Sequence, residues 1–292
     1  MRLRQYYPEV SLGVVCGLFG KTRQAYYKQQ RAAEGLVMRD AIVIKTVKEI
    51  RADMPRIGTR KLHYLLTDTL AQHGLDIGRD KLFDLLSDYG MLVRRRKRKK
   101  TYTTDSNHPF RKYPNMIREL VPTAANQLWV SDITYIALTG QFCYLSLVTD
   151  AYSRKIVGYC LYPTLEKEGP LSALRMALTQ LGRHSTLIHH SDRGLQYCCG
   201  DYTSMLVSNG IGISMTEKGD PYENAIAERV NGILKHEFDI IQRFKSLEEA
   251  ECAICKAIQT YNGQRPHSSC NYLTPDEAHR TKGLLMAKWR QK

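Results

Sequence analysis

What the chain lacks narrows its possible roles first. None of its apolar runs approaches the roughly 18–20 residues that a bilayer-spanning helix needs, which argues against a membrane protein. Residues 10–20 form a nearly continuous apolar stretch behind Arg2 and Arg4, but no small-x-small cleavage site precedes the polar Lys21-Thr22-Arg23-Gln24. A secretory leader is therefore not expected. The eight cysteines include Cys198-Cys199 and Cys252-x-x-Cys255 without a second ligand pair at zinc spacing, so they read as reduced cytoplasmic thiols on apolar faces. Internal repeats and low-complexity tracts are missing too. Above all the chain is short of acid, with 29 Asp+Glu against 43 Lys+Arg and a net charge of +14. So large a surplus points to a polyanionic partner, either nucleic acid or an anionic membrane surface. What is present, 43% hydrophobic and 25% charged residues over 292 positions, suits a folded protein of about two domains.

Apolar spacing divides the chain. Residues 9–30 predict two short helices broken at Gly20, the second capped by Thr22. Within 41–93, Leu62, Leu65, Leu66 and Leu70 recur at helical spacing, as do Leu82, Leu85, Leu86 and Tyr89, about a Gly-rich turn at 73–78. With Arg79 and Lys81 opening the second helix, the pair predicts a DNA-binding helix-turn-helix; an ordinary helical hairpin is the alternative. Then come Arg94, Arg95, Arg96, Lys97, Arg98, Lys99 and Lys100 without an intervening acid. Seven adjacent cations repel one another and do not pack, so they mark a linker over 94–123. Each can neutralise a backbone phosphate without sequence preference. Beyond it, β-rich runs at 127–136, 142–149 and 154–161 predict an antiparallel meander. A helix at 168–181, a strand at 186–190, a helix at 197–209 and a strand at 212–215 come after it. Three strands and then alternating helix and strand imply a mixed α/β sheet with helices on its faces, preceded by an all-α region.

Three carboxylates stand out. Gly219-Asp220-Pro221-Tyr222-Glu223 predicts a helix start, with Asp220 as the cap, Pro221 at the first position and Glu223 completing a capping box. That helix should run to about residue 238. Ile226, Val230, Ile233 and Leu234 form its apolar stripe, while Asn224, Glu228, Asn231 and Lys235 share another that suits metal and phosphate contacts. Asp132 lies inside the first strand, where acids are depleted, and Asp192 comes just after the fourth, at the strand end where ligands bind in open α/β sheets. Singly, the three read as a satisfied buried acid, a turn residue and a surface charge. Together they can converge on one face. Clustered carboxylates repel one another unless a cation sits between them, and hard oxygen donors suit Mg²⁺ or Mn²⁺. Two such ions would clamp the attacking and leaving oxygens of a phosphoryl displacement on nucleic acid.

Thirty-five residues separate Asp192 from Glu228, and Asp132 stands in Trp129-Val130-Ser131-Asp132-Ile133-Thr134-Tyr135-Ile136. This resembles the D-D-35-E pattern of the retroviral-integrase superfamily and, more narrowly, the OrfB transposases of the bacterial insertion-sequence-three family. Further matches are Asp150-Ala151-Tyr152-Ser153-Arg154-Lys155-Ile156-Val157-Gly158, His190-Ser191-Asp192-Arg193-Gly194-Leu195-Gln196-Tyr197 and the stretch from Ser214-Met215-Thr216 to Asn224-Ala225. Tyr261-Asn262, Arg265-Pro266-His267 and Thr274-Pro275 match as well. The likeness covers about residues 40 to 280 and departs at Glu223, where the family more often has Asp.

The resemblance implies an RNase H-like catalytic core at 124–245, behind an N-terminal helical segment at 1–40, the helix-turn-helix at 41–93 and the basic linker. A C-terminal helical extension would occupy 246–292, opened by Ser246-Leu247-Glu248-Glu249 as a capping box. It implies that Asp132, Asp192 and Glu228 hold two Mg²⁺ or Mn²⁺ ions, with DNA end cleavage and attack of the freed 3′-OH on a phosphodiester and no covalent protein–DNA link. DNA contacts would come from Arg79, Lys81, the seven-cation run, Arg193, Asn224, Asn231 and Lys235. Arg265 and His267 would place DNA or the catalytic helix, with packing on the core as the other reading. Homo-oligomers on DNA, an upstream-frame partner or fusion, a circular DNA intermediate and a place in the bacterial cytoplasm on the nucleoid are implied likewise. Asp150 is expected to belong to a turn rather than to the ligand set. A simple RNase H-like nuclease, a non-catalytic regulator and a recombinase using one of the 18 tyrosines are the rival classes.

Overall fold

A computed structural model describes residues 6–94, 108–182, 186–217 and 224–285. The chain forms two compact units, Met1–Ile50 with Leu65–Leu92, and Arg51–Tyr64 with Val93–Lys292.

In the first unit, α1 (Leu12–Leu18) opens on Ser11, whose hydroxyl accepts the N–H of Val14. It stops before Gly20, which takes a left-handed φ of 62°. Thr22 caps the next helix by accepting the N–H of Ala25 (3.1 Å). The expected second short helix is instead the 31-residue α2 (Arg23–Asp53), because no proline and a single glycine interrupt this run of helix formers. Then α3 (Thr59–Gln72) and α4 (Arg79–Asp88) turn about Gly74, another left-handed glycine. Leu66, Leu70, Ile77, Leu82, Leu85 and Leu86 are buried with Val43, Ile44 and Val47 of α2, so the leucine spacing does mark the packed faces.

The 41–93 stretch expected as one domain is divided, since residues 51–64 cluster with the sheet-bearing unit. Contacts explain why. Asp53 pairs with Lys256 (2.9 Å), the Tyr64 ring stacks on Tyr272 (4.9 Å), and the N–H of Arg56 donates to the carbonyl of Glu237 (3.0 Å).

In that second unit β1 (Leu128–Ala137), β2 (Phe142–Asp150) and β3 (Ile156–Tyr162) form the antiparallel meander, while β4 (Ile188–Ser191) and β5 (Gly212–Met215) add parallel to β1. The sheet order β3-β2-β1-β4-β5 is the RNase H-like mixed sheet implied by the resemblance. Helix α5 (Glu168–Thr179) packs on β3 at Gly158, where a Cβ would collide with the carbonyl of Ala173. The helix expected at 197–209 is two pieces, α6 (Leu195–Cys198) and α7 (Gly200–Ser208), because Cys199 is extended between them. Next come α8 (Ala225–Glu237), α9 (Leu247–Gly263), one 3₁₀ turn (Ser268–Cys270) and α10 (Pro275–His279).

Trp129, Val148, Val157, Leu174, Tyr202 and Met215 form one core cluster with α5 and α7, whereas Leu128, Val130 and Ala151 meet Ala227 of α8. The latter half of the expected linker is packed rather than free. Tyr113 and Ile117 lie against these clusters, and Met116 N–H donates to Ser214 Oγ (2.9 Å). Among the described residues no helix is long and apolar enough to cross a membrane.

Candidate active site

The period of two along β1 places Asp132 in line with Leu128 and Val130, on the face that α8 covers. Parallel pairing of Val130 with His190 sets β4 beside it, so Asp192, directly after β4, emerges next to Asp132. There Asp192 Oδ1 accepts the N–H of Gly194 (3.0 Å), which shapes the turn into α6. Glu228 stands exposed in the first turn of α8.

Asp132 feels the other two acids. Burial, then the charge of Asp192 and, more weakly, that of Glu228 push the Asp132 carboxyl from 3.8 up to about 7; a hydrogen bond from Asn231 opposes them. A carboxylate whose charge is opposed in this way by two neighbouring acids is relieved by a divalent cation, and carboxylate oxygens are the donors Mg²⁺ and Mn²⁺ prefer. The donor chemistry fits such an ion, although among the described residues no group of three His, Cys, Asp or Glu side chains closes into a ligand cluster.

Other residues are sorted differently from the expectation. Asn231 is buried and donates through Nδ2 to Asp132 Oδ2 (2.8 Å), and buried Asn224 donates to the carbonyl of Ser131 (3.1 Å). Neither amide faces outward to meet a phosphate, because α8 turns both toward β1. They orient the strand that carries Asp132. Lys235 remains a candidate phosphate contact. It is half-buried, and burial lowers its pKa against the pull of Asp132, which places this cation beside the acids. Arg193 is also half-buried, and its carbonyl faces His108 Nε2 (2.8 Å).

Arg265 and His267 are corrected as DNA contacts. Arg265 is 1% exposed, with both faces of its fork on Glu237 (Nε to Oε2 2.8 Å, Nη2 to Oε1 2.9 Å). His267 is buried, within 2.7 Å of Ser269 Oγ. Its pKa is held well below the usual imidazole range by burial, then by Arg265, Arg154, Lys61 and Arg229. Side chains enclosed in this way do not reach a DNA backbone. Asp150 sits where a turn needs it, fully buried and accepting from Ser153 N–H (2.8 Å), Ser153 Oγ (2.7 Å) and Asn126 N–H (2.7 Å).

Arg79 and Lys81 lie exposed in the first turn of α4, with Arg79 bonded to the adjacent Asp80 (2.9 Å). Of the seven-cation run only Arg94 is among the described residues; Arg95 through Lys100, and the Asp220-Pro221-Glu223 cap, lie outside them. All eight cysteines are free thiols.

Two features had no role in the sequence reading. Behind Asp132, the hydroxyls of Ser131 (2.7 Å) and Tyr202 (3.0 Å) meet buried His189 Nε2. Burial, reinforced by His190, drops that imidazole to about 3 and keeps it neutral. At the far end of α8, Glu237 is joined by Lys61 (3.1 Å) as well as Arg265. An acid at a helix C-terminus opposes the macrodipole, and that oddity was the available signal.

Known proteins resemble this chain over most of its length. Two family models, each described as an integrase core domain, match residues 122–221 and 209–275. The chain is similar to the insertion element IS600 uncharacterized 31 kDa protein of Shigella sonnei, 36% identical over 266 residues that cover 89% of this chain and 96% of that one. It is similar to the putative transposase for insertion sequence element IS986/IS6110 of Mycobacterium tuberculosis (strain CDC 1551 / Oshkosh), 31% identical, covering 72% of this chain and 77% of that one. Transposase InsF for insertion sequence IS3A of Escherichia coli (strain K12) is 34% identical over 55% of this chain and 56% of its own length.

Proposed function

Because this chain belongs to the integrase-core transposases of bacterial insertion sequences, in the insertion-sequence-three family, we propose that it cuts the ends of a mobile DNA element and joins them to another phosphodiester. Asp132, Asp192 and Glu228 are the catalytic carboxylates. The observation that carries this reading is the placement of the three acids on β1, just after β4 and in the first turn of α8, near enough that the charges of Asp192 and Glu228 both act on the Asp132 carboxyl. They would hold two Mg²⁺ or Mn²⁺ ions. Once bound, such ions stabilise the attacking and leaving oxygens of an in-line displacement.

The remaining roles belong to the chain itself. Asn231 fixes the orientation of Asp132 by donating to its Oδ2. Neutral His189, hydrogen-bonded to Ser131, stiffens β1 beside the acid without adding charge. Lys235 and Arg193 flank the acids and offset the negative charge of a phosphodiester. Arg79 and Lys81 on α4, with the basic run from Arg94, provide DNA affinity outside the site. The attacking groups are water and then a 3′-OH, so no protein side chain becomes bonded to DNA. Assembly into oligomers on DNA, an upstream-frame partner or fusion, and work on the nucleoid in the cytoplasm are part of the same proposal.

The decisive experiment is Glu228→Gln, which keeps size and helix tendency while removing charge. DNA binding should persist or tighten, and end cleavage and strand joining should be lost together, because one site performs both displacements. Metal-dependent cleavage persisting in purified Glu228→Gln would overturn the assignment. Cleavage without joining in the wild type would mark a nuclease instead.

A further inference from the structure

Helix α8 carries Glu228 near its start and Glu237 as its final residue. Nine residues at 100° each set the two carboxylates on opposite sides of the helix, about 13 Å apart along its axis. Glu228 is exposed, whereas Glu237 is enclosed. Arg265 grips it with two parallel hydrogen bonds (2.8 and 2.9 Å), Lys61 adds a third to Oε1 (3.1 Å), and the carbonyl of Glu237 takes the N–H of Arg56 (3.0 Å). Arg56, Lys61, Glu237 and Arg265 all belong to the second unit.

From this geometry we infer that the Arg265–Glu237–Lys61 cluster is a clamp that fixes the roll and axial position of α8, and thereby the place of Glu228 at the metal site. A bidentate guanidinium–carboxylate pair fixes direction as well as distance. Asn231 pins the same helix to Asp132 on the sheet side. With two anchors about 120° apart around the axis and six residues apart along it, α8 can neither rotate nor slide without breaking one of these hydrogen bonds. Nothing about folding alone requires such a cluster, since an apolar contact of equal volume is often as stable as a buried ion pair. Glu237, Arg265 and Lys61 are therefore positioning residues, and they touch neither DNA nor metal. This inference rests on the reading of Glu228 as a metal ligand.

The test is Mn²⁺ binding by the full-length protein, titrated by electron paramagnetic resonance, together with thermal melting, for wild type, Glu228→Gln, Glu237→Gln and Lys61→Met. Removing a residue that orients a ligand weakens metal affinity by roughly 10–100-fold, so Glu237→Gln should bind Mn²⁺ roughly tenfold more weakly while still melting cooperatively. Lys61→Met, which spares the Arg265 pair, should weaken it by roughly threefold. Unchanged Mn²⁺ affinity in Glu237→Gln, with or without a lower melting temperature, overturns the clamp. Should that variant fail to fold, affinity in Lys61→Met within twofold of wild type overturns it. If Glu228→Gln itself leaves Mn²⁺ binding unchanged, the ligand assignment fails instead, so the two failures are distinguishable.

Discussion

Asp132 is held in a place that does not suit its charge, and removing that charge should stabilise the metal-free protein. Its carboxyl lies at about 7 rather than 3.8, raised by burial, Asp192 and Glu228. The sign comes from proton binding. Between pH 4 and 7 the folded chain retains a proton that the unfolded chain has lost, so stability is full below about pH 4 and declines as pH rises to about 7. At 1.36 kcal/mol per pH unit, the decline amounts to about 4 kcal/mol at pH 8. The carboxyl keeps some contact with water, and screening should trim this to about 2 kcal/mol. In Asp132→Asn the amide oxygen can still accept from Asn231, so the geometry survives while the repulsion disappears. Urea denaturation monitored by tryptophan fluorescence is a suitable assay, because Trp129 is buried on the same strand. In metal-free buffer Asp132→Asn should exceed wild type by about 2 kcal/mol at pH 8 and match it at pH 4. Mg²⁺ should then stabilise the wild type and leave the variant nearly unaffected, as linkage requires of a ligand that binds only the intact site. A variant no more stable than wild type at pH 8 would refute the reasoning.

The packing sets other expected outcomes. Arg265→Ala should destabilise by about 3–5 kcal/mol in chemical denaturation, because it strips the enclosed Glu237 of its two-pronged partner and leaves only Lys61 against it; a change below about 1 kcal/mol would show that the pair is not enclosed. Glu237 lies near 2 rather than 4.5, since burial is outweighed by the charges and hydrogen bonds of Arg265 and Lys61. Its contribution, about 3 kcal/mol at neutral pH, should be lost as pH falls from about 5 toward 2, and Glu237→Gln should flatten that acid limb of a stability–pH curve. Gly158→Ala should destabilise by about 3 kcal/mol in the same measurement, because the new methyl meets the backbone of α5 rather than a flexible side chain. Replacing Arg94 through Lys100 by Ser and Gly should weaken all DNA alike and reduce the salt slope of binding by close to one phosphate per lost contact; an unchanged slope means the run does not touch DNA.

Local rules written in the residues determined much of this protein. The β-rich runs at 127–136 and 142–149 specified β1 and β2 to within a residue or so, because β-branched and aromatic side chains suit a pleated, largely buried surface. Leucine spacing marked the packed faces of α3 and α4, and an aspartate inside a strand announced an unusual environment before any contact was known. Tertiary structure alone decided which polar residues turn inward. Asn224, Glu228, Asn231 and Lys235 share one stripe by spacing, but only the sheet beneath α8 made Asn231 a partner of Asp132 and left Glu228 exposed. Likewise, a basic residue in an otherwise basic chain reads as a DNA contact until a buried acid from a distant segment is found against it. Arg265 meets Glu237 across 28 positions, and Lys61 meets it across 176. Periodicity reports which face of an element is wet, whereas burial of a charge depends on what the rest of the chain brings to that face.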